Sequence, residues 1–164
     1  MAEPVTGGPP ALMALHHISV PCRDLDEGIR FYRDVLGGRV KVTEPAFALV
    51  HVGGTDIGIS TEGCAWTTPG AEYPHFAYQV DAANLVGMKD WLARCGIPSS
   101  NFWTRNGVET LMFFRDPSGN LIELFCKEGY AGAKDLPRGP ARGHGTAIDV
   151  NATAYETWRL PVAG

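Results

Sequence analysis

Two similar stretches of alternating polar and apolar residues constrain what this chain can fold into. They are residues 17–20, His-Ile-Ser-Val, and residues 75–78, His-Phe-Ala-Tyr. Such alternation is typical of a β-strand buried on one face. Each stretch precedes a helical pattern that begins at an acidic N-cap candidate, Asp24 in the first case and Asp81 or Asn84 in the second, and ends at a glycine. We therefore predict a strand–helix unit that occurs twice.

The remainder of each half has the pattern of strands separated by turns. The tetrapeptide 116–119, Asp-Pro-Ser-Gly, predicts a turn between the last two strands, because proline presets one φ angle and glycine supplies a positive one. Each half then has the order β-α-β-β-β, and the fold class is α+β with two paired modules. The predicted strands after the helices are residues 39–42, 47–52 and 57–60 in the first half and 101–104, 109–114 and 120–125 in the second.

Length and composition predict one domain with short extensions. A chain of 164 residues that is 45% hydrophobic can bury a core without disulfides. We expect a flexible arm over residues 1–13, a domain over residues 14–128 with modules at about 14–63 and 73–128, and a tail over residues 129–164. The tail carries Tyr155, Trp158 and Leu160. A disordered segment seldom has such a cluster, so we expect it to dock on the domain or on a partner subunit.

Charge and cysteine content exclude several functional classes. The net charge of −4 and the absence of a basic run argue against nucleic acid or an anionic membrane as a partner. No apolar run approaches the length that spans a membrane. The four cysteines form no C-x-x-C pair, so we expect reduced thiols and a cytoplasmic location.

Three residues at equivalent points of the repeat predict a mononuclear metal site. His17 and His75 open the first strand of each half, and Glu123 lies in the last strand. Two neutral imidazoles and one carboxylate would leave open positions on an octahedral ion, which is the ligand set of non-haem Fe(II) oxygenases. We expect one divalent ion, with Fe(II) favoured and Mn(II) or another ion also compatible.

The same motifs carry a resemblance to a known family. Residues 16–25, 31–37 and 116–125 resemble, in this order, the vicinal oxygen chelate superfamily of glyoxalase I, extradiol dioxygenases, fosfomycin thiol transferases and bleomycin-binding proteins. The resemblance covers roughly residues 15–127. It implies that the paired modules curl into a cupped mixed sheet. It also implies metal ligands on the first strand of each module and on a last strand, where His17, His75 and Glu123 lie.

Departures from the family pattern leave the reaction open. Gly58 stands where glyoxalase I supplies a second carboxylate, which argues against lactoylglutathione lyase activity. Residues 103–107 match poorly the cationic and hydroxyl residues with which fosfomycin transferases hold a phosphonate. Phe113 replaces the tyrosine that extradiol dioxygenases place ten residues before the glutamate.

Further residues are candidates for substrate contact and proton transfer. Ser19 shares a strand face with His17, and His51 on a middle strand is a candidate acid or base. Apolar candidates for an aryl substrate are Phe47, Trp103, Phe113 and Phe125, which could equally be core residues.

Our leading hypothesis from the sequence is a non-haem Fe(II) dioxygenase that cleaves a catechol-like aromatic. An alternative is a lyase, isomerase or thiol transferase that uses the metal as a Lewis acid, and a third is a binding protein without turnover. Exposed sheet edges predict a homodimer. Whether the metal site forms within one chain or between two stays open.

Overall fold

The predicted repeat is present in the computed structural model, which describes residues 15–62, 75–139 and 150–161. The expected arm over residues 1–13 lies outside this range. Neither helix of the described part has the length and apolar character needed to cross a bilayer. The first module contains β1 (His17–Pro21), α1 (Leu25–Arg30), β2 (Arg39–Glu44), β3 (Phe47–Val52) and β4 (Thr55–Ser60), and the second contains β5 (His75–Gln79), α2 (Ala82–Arg94), β6 (Thr110–Arg115) and β7 (Leu121–Cys126).

Both helices begin at aspartate N-caps. Asp24 Oδ1 accepts a hydrogen bond from the backbone N–H of Glu27 at 2.9 Å, and Asp81 Oδ1 accepts one from Asn84 at 2.7 Å. Asp81 is therefore the cap of α2, and Asn84 lies within the first turn. Such caps satisfy backbone donors that have no partner inside the helix. Helix α1 continues as one π-helical turn, Phe31–Val35.

The strands form two separate sheets, one from each module. Sheet A has the order β1-β4-β3-β2, and sheet B has the order β5-β7-β6. In each sheet the first strand of the module runs parallel to the last. The α+β class with paired modules is thus confirmed.

The predicted strand at residues 101–104 is absent as a continuous element. Only isolated bridges occur there, because successive residues take different partners: Ser99 pairs with Phe114, Trp103 with Leu111 and Thr104 with Arg138. The described part of the second module therefore has three strands rather than the four that the repeat predicts.

One face of each sheet packs into a shared core. Inward residues of both sheets and of both helices belong to a single hydrophobic cluster. Bonds between the modules reinforce this packing, as when the buried Tyr32 hydroxyl donates to Asp116 Oδ2 at 2.9 Å. The opposite face of each sheet, which we call its open face, is directed away from the shared core. Open face A carries His17, Ser19, Phe47, His51, Asp56 and Gly58, and open face B carries His75, Leu111, Phe113, Leu121, Glu123 and Phe125.

The described parts of the tail pack on the domain at two places. Residues 137–139 pair with Thr104 by backbone hydrogen bonds, and Gly139 lies so close to Trp103 that a Cβ there would overlap the indole ring. Further along, the Tyr155 hydroxyl donates to the Arg115 carbonyl at 3.0 Å, and Trp158 Nε1 donates to Glu27 Oε1 at 3.1 Å. Leu160 is 39% exposed, so it is not buried against the domain of its own chain, and its docking on a partner subunit stays a prediction.

Candidate functional site

His75 and Glu123 lie side by side on open face B. They belong to neighbouring parallel strands, β5 and β7, with Glu123 opposite Ala77 in the register. His75 Nε2 lies 3.4 Å from Glu123 Oε2, and the glutamate side chain is only 2% exposed. Glu123 Oε2 makes no hydrogen bond in the part of the chain that the structure describes. Burying a carboxylate oxygen without a hydrogen-bond partner costs free energy. A cation bound by this oxygen and by the imidazole of His75 would offset that cost.

Aromatic side chains support the position of His75. The rings of His75 and Phe113 meet edge to face with centroids 5.2 Å apart, and Trp103 packs on Phe113 at 5.4 Å. Phe113 and Trp103 are completely buried in a small cluster with Leu111 and Leu121. Neither candidate therefore offers a surface to a substrate in this chain. Phe113 instead packs against the histidine ring, and Trp103 packs against Phe113.

Arg105 is a functional candidate that was not selected from the sequence, where residues 103–107 match the phosphonate-binding residues of fosfomycin transferases poorly. Its Nη2 lies 3.5 Å from Glu123 Oε1, and its guanidinium lies 5.7 Å from the ring centroids of Trp103 and Phe125. Its side chain stays 45% exposed. The loop conformation that brings it there depends on the buried Glu109, whose Oε1 accepts hydrogen bonds from the backbone N–H groups of Arg105 and Asn106. Phe125, half buried beneath this cation, remains a candidate for ligand contact.

Open face A presents His17 and Ser19 to solvent. Both side chains are exposed, and His17 Nδ1 lies 3.0 Å from Nδ1 of His16. The half-buried ring of Phe47 lies across Gly58: a Cβ at that position would be 2.9 Å from Ser19 Oγ and 3.1 Å from Phe47 Cε2. The missing side chain of Gly58 therefore allows the aromatic ring to lie close to the sheet.

His51 belongs to a charged cluster on the same open face. Asp56 Oδ1 lies 2.7 Å from His51 Nδ1, and Asp56 Oδ2 lies 2.6 Å from Lys41 Nζ. Two hydrogen bonds hold the pKa of Asp56 below its ordinary value, and the one from Lys41 has a larger effect than the one from His51. Neither Lys41 nor Asp56 was a sequence candidate. Lys41 reaches the face at a β-bulge between Val40 and Val42, which strict alternation does not anticipate.

His17 does not join His75 and Glu123 within the chain. No group of three histidine, cysteine, aspartate or glutamate side chains able to hold a metal occurs among the described residues. The physical reason is the packing of the modules, because both sheets direct their apolar faces into one core and their open faces away from it. In the described part of the chain, His17 and the pair of His75 and Glu123 therefore lie on separate faces.

A family model for the Glyoxalase/Bleomycin resistance protein/Dioxygenase superfamily matches residues 14–124, which is more than half of the chain. The chain belongs to this superfamily. The match covers both helices and all strands except the last two residues of β7, Phe125 and Cys126. It ends before the tail segment that packs on Trp103 and before the docked Trp158.

Individual relatives agree with this assignment. The chain is 26% identical over 115 residues to the metallothiol transferase FosB of Staphylococcus epidermidis, covering 69% of this chain and 81% of that protein. It is 32% identical over 132 residues to the Arabidopsis thaliana protein named Glyoxylase I 4, covering 72% and 73% respectively. In fold it is similar to the fosfomycin resistance protein FosX of Listeria monocytogenes in complex with Mn(II) and sulfate, with a TM-score of 0.62, 19% identity and coverage of 76% and 96%.

Proposed function

We propose that this protein is a metal-dependent enzyme that transfers a thiol to a small anionic electrophile. One observation carries the proposal: a buried carboxylate, Glu123, has one oxygen facing His75 Nε2 at 3.4 Å and the other facing an arginine at 3.5 Å. The first oxygen is suited to a divalent cation. The second oxygen lies beside Arg105, and this cationic side chain can bind the anionic end of a substrate next to the metal ion.

The donor chemistry supports a divalent ion such as Mn(II) or Fe(II). Imidazole nitrogen and carboxylate oxygen are ligands that both ions accept. The unbonded Oε2 of Glu123 supports the same assignment, since a bound cation would satisfy it. The structure of FosX to which this fold is similar is a complex with Mn(II) and sulfate.

We propose that His17 of a second copy of this chain completes the ligand set. His17 is exposed on open face A, and His75 and Glu123 lie on open face B, so two chains related by a two-fold axis would form two equivalent sites. Each site would take His17 from one chain and the pair from the other. A homodimer would therefore be the active form.

Arg105 supports an anionic substrate. Its planar guanidinium can form paired hydrogen bonds with a carboxylate or phosphonate. Packing near Trp103 and Phe125 restricts the side chain while leaving it 45% exposed. Its Nη2 also lies 3.5 Å from Glu123 Oε1, which places the guanidinium beside the proposed metal ligand.

The chemical roles follow from these positions. The metal, when bound, would supply Lewis acidity to the substrate oxygen that takes up negative charge. Arg105 would orient the anionic end of the electrophile, and the aromatic layer of Phe113 and Trp103 would exclude water from the side of His75. A thiol could then approach across open face A of the second chain.

The comparisons support this reaction class better than the dioxygenase favoured by the sequence. FosB is by name a metallothiol transferase, and a relative in Serratia marcescens is named a glutathione transferase. Thiol transfer needs no O₂. Gly58 leaves no carboxylate at the position where a glyoxalase would place one, so we favour transfer over isomerisation.

Metal binding is tested with Glu123→Gln, which retains the side-chain shape. We expect the wild type to hold about one Mn(II) per chain, and the variant to hold at least 10-fold less at equal free metal, as loss of a charged ligand implies. Glu128→Gln removes an exposed carboxylate two residues after β7 and serves as the matched control. Equal metal content in all three proteins would refute the site.

The reaction is tested by mass spectrometry of products. The Mn(II)-loaded protein is incubated with glutathione or cysteine together with fosfomycin, which is anionic, or with a neutral aryl epoxide for comparison. The methylglyoxal–glutathione adduct, which forms spontaneously, and a catechol panel are offered in separate assays, the latter with oxygen uptake followed. We expect a thiol adduct that requires metal, and loss of affinity for the anionic electrophile in Arg105→Gln. Oxygen-dependent ring opening, or isomerisation of the methylglyoxal–glutathione adduct without net thiol transfer, would contradict the proposal.

A further inference from the structure

A buried carboxylate holds a histidine in a defined orientation on open face A. Asp56 is only 5% exposed, yet both of its oxygens are engaged, Oδ1 by His51 Nδ1 at 2.7 Å and Oδ2 by Lys41 Nζ at 2.6 Å. The His51 side chain is 40% exposed. The Nδ1 side of the imidazole thus faces Asp56 on the sheet, and the rest of the ring is accessible from open face A.

This arrangement selects one tautomer of His51. An ionised carboxylate only accepts hydrogen bonds, so Nδ1 must carry the proton, and Nε2 of the neutral ring then has a free lone pair. The depressed pKa of Asp56 keeps this carboxylate ionised at neutral pH. No hydrogen bond to His51 Nε2 occurs among the described residues. A histidine held by a carboxylate in this way is oriented for proton transfer.

His51 lies in the same row of the sheet as His17. Asp56 is the register partner of His17 on one side and of His51 on the other. Two strand spacings separate the two histidines, which corresponds to about 10 Å between their Cα atoms. Among the described residues, strand register and hydrogen bonding place two further charged side chains beside His51, namely Arg39, its register partner on β2, and Lys41. A substrate of a few heavy atoms can span this distance.

We propose that His51 is the proton-transfer residue of the thiol transfer and that Asp56 is its positioning residue, a role that rests on the function proposed above. His51 Nε2 accepts the proton from the thiol sulfur. The sulfur then forms a bond to the electrophilic carbon of the epoxide, and the carbon–oxygen bond breaks with its electron pair going to oxygen. The proton on Nε2 passes to that oxygen, so thiol and epoxide together give one hydroxy-thioether and the histidine returns to its starting state.

Lys41 has a supporting role in this arrangement. It holds the second oxygen of Asp56, so the carboxylate cannot rotate away from His51. It also compensates the negative charge of Asp56, which would otherwise repel an approaching thiolate. Asp56 therefore acts on the substrate only through His51.

The first test compares His51→Gln with the wild type over a series of thiols. General acid–base catalysis is worth about 10²- to 10⁴-fold, so we expect kcat to fall by at least about 100-fold with glutathione. The KM for the electrophile and the Mn(II) content should not change. With an aryl thiol that is already ionised at neutral pH, the deficit should shrink to less than about 10-fold, because no proton has to be removed. Added imidazole should partly restore His51→Ala.

The matched control for Asp56 is Asp34, a carboxylate paired with Arg33 at 2.6 Å and remote from this face. Asp56→Asn should lower kcat by at least about 10-fold with glutathione, while Asp34→Asn should leave it unchanged. A readout that needs no turnover is the ¹⁵N NMR spectrum of the His51 ring. In the neutral ring of the wild type we expect the proton on Nδ1, and in Asp56→Asn a larger share of the tautomer with the proton on Nε2.

The outcomes separate this proposal from the one on which it rests. Unchanged kcat in His51→Gln, or an equal deficit with every thiol and no effect of imidazole, would overturn the role of His51 while leaving metal-dependent transfer intact. If the wild type transferred no thiol at all, the proposed function would fail, and the NMR measurement would decide on the dyad. A neutral wild-type ring that carries its proton on Nε2 rather than on Nδ1 would overturn it in either case.

Discussion

Mixed dimers give the sharpest test of a site shared between chains. The perturbation is to combine chains that carry His17→Ala with chains that carry Glu123→Gln. If His17 of one chain serves His75 and Glu123 of the other, a mixed dimer has one site with both changes and one site with neither. If each chain held its own site, every site in the mixture would lack a ligand.

The expected magnitude follows from the symmetry. Random pairing of equal amounts gives mixed dimers in about half of the population, and one of their two sites is intact, so about one quarter of the wild-type metal sites should return. The matched control combines His75→Ala with Glu123→Gln. Both changes lie on open face B, so no intact site can form in any pairing.

The assay uses co-expression with two different affinity tags, so that mixed dimers are isolated by sequential purification. Purified mixed dimers should bind about one Mn(II) per two chains, against two in the wild type, and each homodimeric variant should bind little. Thiol-transfer activity should rise in parallel. Verified mixed dimers that bind no more metal than the parent variants would refute the shared site, as would recovery in the control mixture.

Two further predictions concern stability. Trp158→Ala should lower the free energy of unfolding by about 2 kcal/mol, because it removes a half-buried ring that packs on Phe31 and donates a hydrogen bond to Glu27. Leu160→Ala, at an exposed position, should lower it by less than about 0.5 kcal/mol. Equal urea midpoints for the two variants would contradict the docking of Trp158. Because the pKa of Asp56 is lowered by Lys41 and His51, its stabilising effect is present above the unfolded-state value of about 4 and is lost as pH falls through the folded-state value. Asp56→Asn should therefore flatten the acid part of a stability–pH curve measured below about pH 4, and an unchanged slope there would exclude this contribution.

Strand periodicity was sufficient to predict the pair on open face B. His75 and Glu123 were assigned from their positions in alternating strands, and parallel pairing of β5 with β7 brings them together. The same rule placed His17 and Ser19 on one exposed face. Local alternation determines which side of a sheet a residue occupies, so it is recoverable from sequence.

The direction of the two open faces was not recoverable in this way. It depends on how the modules pack, for example on the long-range bond between Tyr32 and Asp116, and a repeat pattern contains no such information. Arg105 was missed for a related reason. Its place beside Glu123 depends on a loop that Glu109 holds by backbone hydrogen bonds, and no periodicity describes that loop.

Aromatic residues were the least predictable. Trp103, Phe113, Phe47 and Phe125 were treated as one set of substrate candidates, but the first two are completely buried and the others only partly. Burial of Trp103 depends on a segment more than thirty residues later in the chain, Gly139, which lies against its ring. Hydrophobicity alone does not distinguish an aromatic residue that lines a binding site from one that is buried in the core.

The contact between Gly139 and Trp103 has a consequence for anyone who wishes to excise or exchange this domain. A boundary drawn at residue 124, where similarity to the superfamily ends, would leave the indole ring without its cover. The side chain of any residue other than glycine at position 139 would overlap that ring, which packs on Phe113, and Phe113 in turn contacts the imidazole of His75. Chimeras with relatives should therefore be joined beyond residue 139, so that the graft carries its own glycine with it.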